Sequence, residues 1–121
     1  MDQTWDFSIA GLAEDGMTVV DVSGEIDMKT GPAFQQGLLR AIGAGRGGLI
    51  VDLSQATFLD SSALTSLVNA FDSLRRHGGG TLSIVATDPR MRALFDVARL
   101  ERDFRIYESR ADALASMAAR F

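Results

Sequence analysis

The residues best placed to do chemistry lie in one run, "TFLDSSALTSLVNAF", Thr57 to Phe71. Asp60, Ser61 and Ser62 stand in line between a strand-like stretch and a helix-like stretch. A serine beside a carboxylate can serve as a nucleophile, accept a phosphoryl group, or start a helix. Nucleophilic use needs a base. His77 is the only histidine. It falls about four helical turns beyond Ser61, roughly 24 Å away if the helix is continuous. No G-x-S-x-G elbow surrounds the serines. With no cysteine, one histidine and scattered carboxylates, the chain offers no transition-metal cluster. A small enzyme built on the Asp60/Ser61 pair is therefore not expected. No catalytic residue, metal ligand or cofactor is assigned.

Two readings of "LDSSA" stay open. One is a helix cap, in which a Ser or Asp oxygen accepts the first free amides. The full capping box is absent, because Leu64 and Thr65 stand where Glu or Gln would close it. The other is a phosphate acceptor. Three cap-type residues in a row are more than a cap requires, and a phosphate here would meet free N–H groups and the positive end of the helix dipole. Upstream, Glu25 and Asp27 flank Ile26 in a loop before another helix. They are either anions suited to a helix start or an acidic recognition edge.

The elements that must hold these residues follow from periodicity. "WDFSIAGL", with Phe7 and Ile9 on one face, and "MTVVDVSG" flank the turn signal "EDG" at 14–16, which predicts an antiparallel hairpin. Thr30 is the expected cap of the next helix, with Pro32 near its start and Phe34, Leu38, Leu39 and Ile42 on one face. "GLIVDLS" reads as a short buried parallel strand. Leu64, Leu67, Val68, Phe71 and Leu74 mark the inner face of the helix after "LDSS". "TLSIVA" is a strand, "DPRMRALFDVARL" a helix capped by Asp88 with Pro89 first, "FRIYE" a last short strand, and "SRADALASMAARF" a helix starting at Ser109.

The order β-β-α-β-α-β-α-β-α predicts one α/β domain over residues 1–121, a mixed, mostly parallel sheet with an antiparallel edge hairpin and about four helices. Ligands of such sheets meet the carboxyl ends of the strands, here the loops within "SGEIDMKT" and "ATFLDSSA". "GAGRGG" (43–48) matches G-x-G-x-x-G in letters only. It follows a helix and leads into a strand, the reverse of a dinucleotide site. "HGGG" at 77–80 is likewise a helix exit. The methionines, Phe58, Phe71 and Phe95 are expected in the core, and nothing is read into Trp5.

Composition sets the remaining bounds. The 121 residues are 46% hydrophobic and 23% charged, ordinary for a globular domain. Residues 1–60 carry nine acids and three bases, and residues 61–121 carry seven acids and nine bases. The acidic half disfavours nucleic acid as a main partner. The acidic N-terminus shows no signal peptide, and no apolar run approaches the ~20 residues of a membrane span. A cytoplasmic protein without membrane insertion is expected.

Three segments together, "VSGEIDMKT", "VDLSQATFLDSSALTSLV" and "MRALFDVARLERDFRIYESRADAL", resemble the STAS domain, and within it the bacterial anti-sigma factor antagonists. The likeness spans almost the whole chain. It implies that Ser61 is phosphorylated by a partner that is both anti-sigma factor and ATP-binding serine kinase. It further implies that Glu25, Asp27, Thr30, Asp60, Ser62 and Ala63 form the partner-binding surface. The unphosphorylated form would bind the kinase and free a sigma factor, phosphorylation would end that complex, and a serine phosphatase would restore it. Ala63 stands where the family usually has glycine, and its extra methyl is expected to aid the helix while crowding a partner. A non-phosphorylated STAS subunit of a lipid or anion transporter, or of a signalling scaffold, is the alternative. A bare structural module with "LDSS" as a cap is the remaining one.

Overall fold

The structure, a computed structural model, describes residues 7–14, 17–44, 48–76, 81–97 and 104–118. The tip of the "EDG" turn, residues 45–47 of "GAGRGG", "HGGG" with His77, and Trp5 lie outside the described residues.

The described residues form nine elements: β1 (Phe7–Glu14), β2 (Met17–Ile26), α1 (Gly31–Ala44), β3 (Leu49–Leu59), α2 (Ser61–Arg76), β4 (Leu82–Val85), α3 (Pro89–Val97), β5 (Arg105–Tyr107) and α4 (Arg110–Ala118). The strands lie in the order β1-β2-β3-β4-β5. β1 runs antiparallel to β2, and β2 through β5 are mutually parallel.

The helices divide unequally between the two faces. α1, α2 and α3 bury Phe34, Leu38, Leu67, Leu74, Met91 and Phe95 against Val20, Val22, Ile26, Val51, Leu53, Leu82 and Ile84. Phe104 joins this layer edge-on to Phe71 and Phe95. Each such side chain contributes about 1.5–3 kcal/mol by leaving water. The other face holds a smaller cluster, Val19, Ile50 and Val85 under Ala113 of α4, with Tyr107 and Leu114 at its margin. The first five residues of β3 are all buried because both faces are covered there.

Strand length departs from the pattern reading. "SGEI" and "QATFL" continue β2 and β3 instead of forming loops, so the parallel pair runs on to Ile26↔Leu59. The register slips between Asp21 and Ser23 and again between Gly24 and Glu25. Each slip inserts an extra β3 residue and breaks the period of two that marks a strand in sequence. Gly24 sits at the second slip with φ 89°, a conformation that glycine adopts without cost. The result carries the ends of β2 and β3 well past Val85, so the two following helix starts stand together at one edge of the sheet.

Candidate functional site

The first half of the site is the turn from β2 into α1. The Asp27 Oδ1 accepts the Lys29 amide at 2.9 Å and the Thr30 amide at 3.2 Å. The Thr30 hydroxyl accepts the Asp27 amide at 2.9 Å and lies 2.8 Å from the Glu25 carbonyl, to which it donates. The Thr30 carbonyl takes the Phe34 amide, the first bond of α1. Thr30 thus occupies the cap position, as its sequence context predicts, but its hydroxyl is spent on locking the loop. Asp27 closes the turn that leads into the helix.

The second half is the turn from β3 into α2. The Asp60 amide donates to the Ile26 carbonyl at 3.2 Å, tying the two turns together. The Asp60 Oδ1 accepts the Ser62 amide at 2.9 Å, the Ser62 hydroxyl at 2.5 Å and the Ala63 amide at 3.3 Å. Asp60 is therefore the N-cap, and Ser61 is the first helical residue. The Ser62 hydroxyl bond holds the Asp60 carboxyl below its ordinary value; partial desolvation opposes this, and the Ala63 and Ser62 amides reinforce it. α1 and α2 touch at these starts: a Cβ on Gly31 would lie 3.4 Å from the Ser62 hydroxyl oxygen, and the Ser66 hydroxyl donates to the Gly31 carbonyl at 3.4 Å.

Ser61 is exposed. Its carbonyl accepts the Thr65 hydroxyl at 3.1 Å, whereas its own hydroxyl has no hydrogen-bond partner among the described residues. The cap has been assigned to its neighbours, which leaves this oxygen to solvent. Asp60 is a poor base for it, being held ionised with its Oδ1 already filled. Among the described residues no group of three potential ligands could hold a metal ion. The Ser61 hydroxyl is therefore a solvent-facing group at the start of α2, presented but not activated by Asp60.

The expected residues do not all converge. Asp27, Thr30, Asp60, Ser61 and Ser62 share the edge. Glu25 gives its carbonyl to the loop, but its exposed side chain points away from buried Ile26 and lies on the opposite face beside Phe58. Ala63 is fully buried among core residues because the third residue of α2 faces the sheet. Its methyl therefore cannot crowd a partner, which corrects its assignment to the contact surface. Phe58 is 49% exposed and Met28 is 80% exposed, whereas both were expected in the core. The amides imagined as free for a phosphate are also taken: those of Ser62 and Ala63 go to Asp60.

Two features were missed from the sequence. One is an open groove of about 510 Å³ between α1 and α2, lined by Met28, Gly31, Pro32, Gln35, Gln36, Ser62, Thr65 and Ser66. The signal was an apolar residue set between Asp27 and Lys29 in a polar loop. The other lies at the back of the sheet, where Arg110 joins Asp52 at 2.9 Å and also Asp21. An aspartate inside "VVDV" and another inside "IVDL" marked it, and the two are register partners on neighbouring strands.

Among the described residues, a mostly parallel sheet flanked by four helices, with an exposed serine at a helix start beyond one strand end, defines the class to which this chain is similar. The STAS domain model matches residues 11–113, and the chain belongs to that family. An anti-sigma factor antagonist from Mycobacterium paratuberculosis is 32% identical, with 93% of this chain and 94% of that chain covered and a TM-score of 0.84. The Bacillus cell fate determinant SpoIIAA in its phosphorylated form shares the fold at 18% identity, with coverage of 91% and 97% and a TM-score of 0.66. A sulfate transporter family protein from Wolinella succinogenes also shares it, at 14% identity, 89% coverage of both chains and a TM-score of 0.75. No helix among the described residues is long and apolar enough to cross a membrane.

Proposed function

We propose that the chain is an anti-sigma factor antagonist switched by phosphorylation of Ser61. The observation that carries this reading is the exposed Ser61 hydroxyl, relieved of capping by Asp60. The likeness to an antagonist at 32% identity and the existence of a phosphorylated SpoIIAA support it. An ATP-binding serine kinase, itself the anti-sigma factor, supplies nucleotide and magnesium, because phosphoryl transfer is mostly positioning and charge stabilisation. This chain supplies a hydroxyl on a rigid helix start, with Asp27, Asp60 and Ser62 as contacts around it. Thr30 fixes the loop that presents Asp27.

The phosphate adds about −1.5 to −2 charge. It arrives beside Asp60, whose carboxylate holds the nearest amides, so this molecule gives it little beyond the helix dipole. The fold is kept by the buried core beneath this exposed edge, and the partner's interface bears the crowding and desolvation of the dianion. Each 1.4 kcal/mol lost there weakens binding tenfold. A serine phosphatase then resets the switch.

The test is incubation with cognate histidine-kinase-like anti-sigma factors and ATP, followed by mass spectrometry. The expected result is one phosphate on Ser61, absent in Ser61→Ala, and a Ser61→Asp variant that folds but binds the kinase weakly. Unchanged affinity of Ser61→Asp contradicts the charge argument. Tight binding without phosphate favours the second reading, a non-phosphorylated STAS subunit of a transporter or scaffold, for which the shared fold of the Wolinella protein speaks.

A further inference from the structure

We propose that Met28 is the apolar anchor through which the kinase recognises this chain, and so a specificity-determining residue of the switch; this rests on the reading of Ser61 given above. Exposure alone would not carry it, since single exposed apolar residues are common on protein surfaces. Three further observations do. The backbone that presents Met28 is fixed: Asp27 Oδ1 holds the amides of Lys29 and Thr30, and the Thr30 hydroxyl closes back on the Asp27 amide. A partner that buries this side chain therefore spends little entropy on ordering its loop. Met28 also lines the groove between α1 and α2 together with Pro32, and Ser62 of the phosphorylation turn lines it too. Gln35, which lines the groove, accepts a 3.1 Å hydrogen bond from Asn69, so the two helices that form it are tied to each other.

Charge selects the occupant. Asp27 and Asp60 at the rim are held by amides and hydroxyls, and among the described residues no cation pairs with either. A segment that seats an apolar side chain against Met28 and Pro32 while bringing a cation to Asp27 or Asp60 fits both features. The kinase is the partner that must reach Ser61, next to this groove, so it is the occupant to which the geometry points. Methionine suits the role because its unbranched thioether adapts to the opposing surface.

The experiment measures phosphorylation of the full chain by the cognate ATP-loaded kinase, with KM and kcat determined separately, alongside direct binding of the unphosphorylated chain. Met28→Ala is expected to raise KM and Kd about tenfold, as for a central interface anchor, and to leave kcat at saturation unchanged. Met28→Leu should restore most of the loss, and Met28→Gln should not. Val97→Ala removes a side chain that is 84% exposed on α3 and should change neither constant. Urea midpoints of all variants should match the wild type, so a folding defect cannot imitate the result. Met28→Ala within twofold of a phosphorylated wild type overturns the inference and leaves the Ser61 reading standing. A wild type that no cognate kinase phosphorylates sinks both.

Discussion

The chain uses one local device twice. Asp52 Oδ1 accepts the Ser54 amide at 2.9 Å and the Ser54 hydroxyl at 2.6 Å, and Asp60 Oδ1 accepts the Ser62 amide at 2.9 Å and the Ser62 hydroxyl at 2.5 Å. Both are Asp-x-Ser turns that share these two bonds, the first at a register slip inside β3 and the second at the start of α2, where the Asp60 Oδ1 also takes the Ala63 amide. They differ in what surrounds them. The Asp52 turn is buried, its middle residue Leu53 is core, and its second oxygen is met by Arg110. The Asp60 turn opens on the edge, its middle residue is exposed Ser61, and among the described residues no cation reaches the carboxylate. The hydrogen bonds are therefore silent about role. Exposure of the middle residue and the fate of the second oxygen separate a structural lock from a presented hydroxyl.

The largest expected effect falls on the lock. Arg110→Ala leaves the 5%-exposed Asp52 carboxylate without its counter-ion and should cost about 3 kcal/mol, the lower end for a broken buried pair because Arg110 is itself 30% exposed. Urea unfolding measures this, and phosphorylation of the folded protein should be unchanged. Replacing both partners, Asp52→Leu with Arg110→Met, should recover most of the loss, since it removes the uncompensated charge. A loss of Ser61 phosphorylation in folded Arg110→Ala would mean that the two turns are coupled, and the comparison would fail.

Next comes the exposed turn. Asp60→Ala removes the N-cap of α2 and frees two amides and the Ser62 hydroxyl, at a cost of about 0.5–2 kcal/mol in urea unfolding. A smaller loss would show that Ser61 or Ser62 can take over the cap. Ala63→Gly should follow at about 1 kcal/mol, because it removes a buried methyl and lowers helix propensity in the first turn of α2. Kinase binding by Ala63→Gly should be unchanged, since no partner meets that methyl.

Much of this frame was legible in the chain. On α2 Leu67 and Leu74 are buried as read, whereas Leu64, Val68 and Phe71 are only partly so and the buried stripe runs through Ala63, Ser66 and Ala70; the Asp88–Pro89 and Ser109 helix starts appear as read, with the Asp88 Oδ1 accepting the Arg90 amide and the Ser109 hydroxyl accepting the Asp112 amide. Cap-type residues identify a helix start well. They do not say which of three neighbours takes the cap, because that depends on where the backbone leaves β3. The two register slips moved that exit point, and no propensity marks an inserted strand residue. Arg110 lies 58 residues from Asp52, so their pairing had no local signature. Met28 was misjudged because residue type predicts burial only on average, and the Asp27 turn carries it outward.

The smallest expected effect reads the charge state of the exposed turn directly. The Asp60 carboxyl is held below the ordinary aspartate value of 3.8, first by the Ser62 hydroxyl and then by the helix amides. Its folded form therefore binds a proton less readily than the unfolded chain does. Stability from this source is complete above the unfolded value and drains away as pH falls through the lowered folded one. Asp60→Asn keeps an oxygen acceptor but cannot ionise, so the wild type should exceed it at pH 6, and the gap should close on acidification below 3.8. Asp88, lowered by the Arg90 amide and side chain, declines over the same window in both proteins and cancels from the difference. Paired urea titrations across that range measure the gap. If it stays constant, the ionised carboxylate is not what organises the turn, and the claim that Asp60 frees Ser61 by taking the cap as an anion is lost.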